Sequence, residues 1–490
     1  MTLKLFALRC SLAVAALSCA AASLPAQAEA PAKVSTKGAK DPAVGTWQGA
    51  LQVAGQKLEL GLHVKFDGKG YVATFDSITQ NANGIPVLSL TRKGTEVVAD
   101  IQAIGSTYTA TLKGEGAARE LVGTWSQGGM ELPLTMKVVD KIKGPNRPQN
   151  PKRPFPYDAV EVEFVSNEHV TLAGTLTLPP GDGPHPVAVM ITGSGPQDRD
   201  ESLAGHKPFL VIADHLTRQG LAVLRYDDRG VGKSTGDFTV ATTADFASDV
   251  RAAIRFLQSR QDIDKQRIGT IGHSEGGLIA PIVASGPDAK SVAFSILLAP
   301  PTVNIADIIV HQSRLIGRAA SDSPDIDVNC EFLREAFAAI REHKDAESRS
   351  EAITAIAKAT WPKFSAEARQ SIGTSADDLV RQAQMLVEPW ITYLLDYDPQ
   401  PALKGMHGEV LALFGGKDLQ VDPAQNLPPL EKAMSGREPK PTVVSLPDHN
   451  HLFQRCTTGS PTEYGEIEET ISQEALDAMS KWLKRVVLTR

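Results

Sequence analysis

Ser274 stands in Gly272-His273-Ser274-Glu275-Gly276, a G-x-S-x-G pentapeptide that directly follows the apolar run Arg267-Ile268-Gly269-Thr270-Ile271. The residues after it, Gly276 to Ala284, read as a buried helix. Strand, tight turn and helix in that order put a serine hydroxyl on a strained turn above a sheet edge, with glycines on both sides to avoid clashes. Such a hydroxyl attacks only when a base takes its proton and an anion supports the base.

Both partners can be sought downstream. Asp418 follows the apolar run Val410–Phe414 in the glycine-loosened turn Gly415-Gly416-Lys417-Asp418. His451 follows Thr442–Leu446, and Leu452 and Phe453 can anchor its loop. The order Ser274, Asp418, His451 is the one a serine on a strand–helix turn requires. Asp422 is a rival acid, placed further from its strand and next to Pro423. His449 is a rival base, otherwise expected to be a solvated loop residue. The tetrahedral oxyanion needs two fixed donors. The Glu275 N–H is one by geometry, and Thr192-Gly193-Ser194-Gly195-Pro196 should supply the other, with Gly193 allowing close approach, Ser194 N–H the chosen donor and Gly193 N–H beside it.

Gly232-Lys233-Ser234 imitates the end of a phosphate-binding loop, but the leading glycine position holds Asp227, whose carboxylate would repel phosphate. Arg229 is expected instead to pair with Asp198, Asp200 or Asp228 and brace the loops beside the oxyanion site.

The chain of 490 residues is too long for one core. Its net charge of −7 and lack of basic runs argue against a nucleic-acid partner. Residues 1–28 read as a secretory signal: Lys4 and Arg9, an apolar Leu12–Leu24, and a small-x-small site at Ala26-Gln27-Ala28. Export to the periplasm or medium follows, with cleavage after Ala28; lipidation at Cys19 is the alternative. The apolar run is too short and too rich in Ala and Ser for a stable membrane span. The processed chain keeps Cys330 and Cys456, which either pair in an oxidising compartment or stay free. Neither cysteine has metal-ligand spacing, and a homo-oligomer is compatible with the sequence.

Residues 42–140 alternate in hydropathy, as in Leu58–Phe66, and read as an antiparallel barrel or sandwich with adjacent first and last strands. Gly45-Thr46-Trp47 and Gly123-Thr124-Trp125 recur near its ends, and His63 is expected to be solvated. Residues 141–156 carry spaced prolines and read as a semi-rigid linker, or as a strap over the next domain. From 157 to 490 strands alternate with helices, which implies an α/β class with a mostly parallel sheet. Val160–Val165 and Thr171–Leu178 suit an antiparallel pair at its edge. Residues 302–398 interrupt that rhythm with helical composition, including Cys330–Arg341, Glu351–Lys358 and Ala376–Tyr393, and read as a cap above the active edge. Thr470-Ile471-Ser472-Gln473 offers a capping box for the last helix, 472–486.

Gly193 to Asp200, Arg225 to Ser234 and Gly272 to Gly277 resemble the α/β-hydrolase superfamily, and more narrowly bacterial two-domain esterases of the serine aminopeptidase (S33)-like kind. Trp390–Pro399, Gly415–Val421 and Asn450–Phe453 extend the resemblance, which runs from Tyr157 to the C-terminus. The leading β domain is also similar to the one such enzymes carry. The resemblance implies an α/β-hydrolase fold with a cap, a Ser274–Asp418–His451 triad, no metal or organic cofactor, and a small-molecule ester with a short acyl group as substrate. Thr192 stands where many members of the wider superfamily have histidine. Two other functions are compatible with the chain. One is an amidase or aminopeptidase using the same triad, with Glu388 as a carboxylate for a substrate's free amine. The other is a non-catalytic module gripping a glycan or envelope component.

Overall fold

The computed structural model describes residues 41–489 apart from 54–55, 80–81 and 128–129, so the expected leader lies outside the described residues. Two compact units emerge, one reaching to Arg147 and including Ser202–His206, the other formed by Pro148–Glu201 and the chain from Lys207 onward.

The first unit is one antiparallel sheet. Its strands are β1 (Gly45–Val53), β2 (Gln56–Phe66), β3 (Tyr71–Ser77), β4 (Ala82–Pro86), β5 (Ser89–Lys93), β6 (Glu96–Ile101), β7 (Ser106–Lys113), β8 (Glu120–Gln127) and β9 (Met130–Val139). Their order is β4-β3-β2-β1-β9-β8-β7-β6-β5, so the first and last strands in sequence lie side by side. Strict alternation folds one face inward: Leu60, Leu62 and Val64 of β2 are buried with Trp47, Tyr108 and Trp125. The two Gly-Thr-Trp segments therefore mark two indoles of one core. His63 is not simply solvated, because its Nε2 lies 2.8 Å from Asp76 Oδ2 on the neighbouring strand.

The second unit holds a mixed sheet of β10 (Asp158–Asn167), β11 (Val170–Leu178), β12 (His185–Ile191), β13 (Ala222–Tyr226), β14 (Ile263–His273), β15 (Phe294–Leu298), β16 (Glu409–Gly415) and β17 (Thr442–Leu446). The order is β10-β11-β13-β12-β14-β15-β16-β17, with β10 and β11 antiparallel at one edge and the rest parallel. Continuous apolar runs such as Val187–Ile191 serve two cores at once. Val187, Val189 and Ile191 pack into one layer, Ala188 and Met190 into the other. The helices are α1 (Pro208–Arg218), α2 (Thr243–Ser259), α3 (Glu275–Ser285), α4 (Ile305–Ala320), α5 (Asp325–Glu342), α6 (Ala346–Thr360), α7 (Ala366–Ile372), α8 (Ala376–Ala383), α9 (Pro389–Asp396), α10 (Gln400–Gly405), α11 (Pro423–Ala433) and α12 (Gln473–Leu483).

Between β15 and β16 the helices build a core of their own around Phe332, Leu333, Phe337 and Ile353. Cys330 is buried in it and Cys456 is half-buried elsewhere; both thiols are free. The helix expected over Ala376–Tyr393 is broken, because Glu388 precedes Pro389 and takes an extended conformation (ψ 151°). The capping box expected at Thr470–Gln473 is displaced too. Ser472 is the N-cap and accepts from Ala475 N, which puts Gln473 at the first helical position.

Candidate active site

Parallel strands order the site by putting all their C-terminal ends on one edge. β14 ends there in a turn so tight that Ser274 sits at φ 53°, ψ −117°, in the left-handed half of conformational space. Its N–H donates to Leu298 O at 2.8 Å, and its own carbonyl accepts from Gly277 N. The flanking glycines are obligatory. A Cβ on Gly272 would stand 2.0 Å from Gly276 O, and one on Gly276 would stand 2.1 Å from Ile191 O.

The next strand but one, β16, leads to Asp418. Its Oδ1 accepts the N–H groups of Gln420 and Val421 at 2.8 and 2.9 Å. Its Oδ2 lies 2.7 Å from His451 Nδ1, with both side chains buried. The acid's turn and the histidine's loop fit backbone against backbone, since a Cβ on Gly416 would meet Pro447 O at 2.5 Å. Leu452 and Phe453 are buried as anchors, and Asn450 Oδ1 accepts from Leu452 N and Gln454 N to close the loop. The rivals lie elsewhere. Asp422 caps α11 and binds His311 of α4 at 2.7 Å. His449 is buried rather than solvated, its ring nitrogens make no hydrogen bond among the described residues, the nearest carboxylate being Glu474 at 3.9 Å, and burial pushes its imidazole below the usual range.

The loop after β12 runs against the serine: a Cβ on Gly193 would approach Ser274 Cβ to 3.3 Å. The expectation that Gly193 offers its N–H to an oxyanion is not met, because that N–H donates to Glu201 Oε1 at 2.8 Å. Among the described residues no partner engages the Ser194 N–H, and Glu275 N–H lies in the first turn of α3, where helix donors lack internal acceptors. Asp228 grips the loop through Thr192 Oγ1 (2.8 Å) and Gln197 N (3.0 Å), while Asp227 takes Arg199 Nη2 at 2.8 Å and Lys233 N at 3.2 Å. The phosphate-loop look-alike thus wraps a carboxylate. Arg229 turns away from the residues expected to hold it and pairs with Asp249 of α2 through Nε and Nη2, both at 2.8 Å.

A family model described as serine aminopeptidase, S33, matches residues 207–385. Esterase EstD of Thermotoga maritima is 26% identical over 388 residues, covering 78% of this chain and 81% of that protein. The chain is thus similar to proteins of the α/β-hydrolase superfamily. The uncharacterized protein YfhR of Escherichia coli (strain K12) is 29% identical to it over 140 residues, 28% of the chain and 43% of its own length. Among solved structures, an esterase of Pyrococcus furiosus has a TM-score of 0.42 at 15% identity, covering 71% of this chain and 99% of its own.

Two features of the site escape the sequence pattern. Glu275 contributes more than its N–H: its buried carboxylate accepts from Thr243 Oγ1 at 2.7 Å and from Trp390 Nε1, on α9, at 2.8 Å. Burial pushes its carboxyl above the ordinary range, against the pull of these donors. His273, an unconstrained position in the pentapeptide, is buried between two loops, bonded to Glu201 and to the His451 carbonyl. Among the described residues no hydrogen bond joins Ser274 Oγ to the His451 ring, so the loops meet through His273, whose ring centroid is 4.8 Å from that of His451. An apo serine–histidine contact is commonly loose and tightens with substrate.

Proposed function

We propose that the chain is a serine esterase that cleaves short-chain carboxylic esters through an acyl-enzyme. Ser274 attacks the ester carbonyl, forming the C–O bond as His451 takes the hydroxyl proton. The tetrahedral oxyanion is held by the N–H groups of Glu275 and Ser194, each such donor contributing about 3–4 kcal/mol in comparable sites. Collapse breaks the bond to the leaving alcohol, which receives the proton from His451. Water then repeats the sequence and frees the acid. Asp418 fixes the imidazole tautomer and supports its positive charge.

The observation that carries this reading is the buried 2.7 Å pairing of Asp418 with His451 on the sheet edge where the Ser274 turn sits. The likeness to esterase EstD supports an ester over other acyl substrates. Export, with cleavage after Ala28, belongs to the same proposal.

Steady-state turnover of p-nitrophenyl esters from acetate to decanoate, beside aminoacyl p-nitroanilides, tests it. Expected is preference for the short esters and loss of about a millionfold in kcat for Ser274→Ala. Faster cleavage of the anilides would replace the reading by an aminopeptidase, and undiminished turnover by the variant would remove Ser274 from the mechanism.

A further inference from the structure

We infer that His273 is a positioning residue held as a buried imidazolium, which clamps the oxyanion loop and the His451 loop to the serine turn. Its part in positioning the base rests on the esterase reading above; its protonation state does not.

Donor and acceptor accounting carries the inference. His273 Nδ1 lies 2.9 Å from Glu201 Oε1, and its Nε2 lies 3.0 Å from the carbonyl oxygen of His451. A carbonyl only accepts, so Nε2 carries a hydrogen. Glu201 Oε1 already accepts the Gly193 N–H at 2.8 Å, as a carboxylate oxygen does, so Nδ1 must donate as well. A neutral imidazole has one N–H and would turn a lone pair on an acceptor at one of these contacts. Both rings and the Glu201 side chain are buried, so water cannot mend such a mismatch.

The surroundings agree. Burial works against a charged ring, but Glu201, the His451 carbonyl and Asp418 outweigh it and raise its affinity for the proton. Glu201 itself sits at φ 52°, its N–H on Asp198 O at 2.9 Å, so the chain is bent to present that carboxylate. The groups facing His273 are Glu201 from the loop after β12, Asp418 from the turn after β16 and the His451 ring.

The test is nitrogen-15 histidine spectroscopy of the full chain between pH 6 and 9, with His273→Gln identifying one of the 11 histidines. Expected is a ring with both nitrogens protonated throughout, reduced to one protonated nitrogen at pH 8 in Glu201→Gln. A ring with one protonated nitrogen at pH 8 in the unmodified protein overturns the inference. In kinetics, His273→Gln should lower kcat for short esters about tenfold, with Ser274 still open to fluorophosphonate. An unchanged kcat overturns the positioning role. Absence of ester turnover in the unmodified protein would strike the esterase reading instead, and the spectra would still decide the charge on His273.

Discussion

Trp390 Nε1 donates to Glu275 Oε1 at 2.8 Å, joining a helix of the β15–β16 insertion to the residue that follows the candidate nucleophile. The backbone N–H of that same glutamate is a proposed oxyanion donor. Displacement of α9 is therefore felt where negative charge develops.

Trp390→Phe keeps the ring and deletes the donor. It leaves a buried carboxylate one partner short, a loss of about 1–3 kcal/mol. The expected outcome is a lower melting temperature and roughly a tenfold fall in kcat/KM for short esters, since ~1.4 kcal/mol of transition-state stabilisation is a factor of ten. Thermal unfolding and ester kinetics on one preparation check it; unchanged kinetics would detach the indole from the site.

Asp418→Asn should lower kcat by about 10⁴, less than Ser274→Ala, because the oxyanion donors persist. Asp422→Asn provides the contrast. Asp422 caps α11 and holds His311, and Asn caps a helix about as well, so this variant should keep its activity with little change in stability. Ester turnover by the two variants distinguishes the acids, and the reverse ranking would exchange their roles.

Asp228 gives a pH signature. Burial, reinforced by nearby Asp249 and Glu275, raises its carboxyl well above the ordinary 3.8, although Gln197 N–H and Thr192 Oγ1 oppose this. The folded state thus binds this proton more tightly than the unfolded chain does. Its stabilising share is present below the ordinary value and is lost as pH rises through the higher folded value. Asn keeps an acceptor for the Gln197 N–H, offers its amide N–H to Thr192 Oγ1, which then accepts, and does not ionise. The melting temperature of Asp228→Asn relative to the parent should accordingly be more favourable at pH 7.5 than at pH 5. A difference that is flat with pH would contradict the assignment.

What the sequence disclosed was what short-range geometry dictates. Gly272 and Gly276 are legible because the turn leaves no room for a Cβ at either position. Strand character showed because Val187–Ile191 and its counterparts face cores on both sides. The Asp418–His451 pairing followed from chain order on a parallel sheet. Side-chain partners from distant elements were another matter. Arg229 pairs with Asp249 of α2 rather than the aspartates near it in sequence, because the helix brings a buried carboxylate to the guanidinium. His273 passed as filler within the pentapeptide, since Glu201 and the His451 carbonyl reach it only through tertiary folding. Gly193 was credited with a free N–H for the same reason. A glutamate eight residues on was the one signal for it, and only the Glu201 backbone conformation turns that glutamate inward.

We propose that the Ser274 hydroxyl is activated by His451 and Asp418. Reaction of the intact protein with a fluorophosphonate, followed by mass mapping of the modified peptide, is the decisive test. Expected are one adduct per chain, located on Ser274, and a sharply slower reaction in His451→Ala. An adduct on another residue, or ester turnover that survives complete labelling, would contradict it.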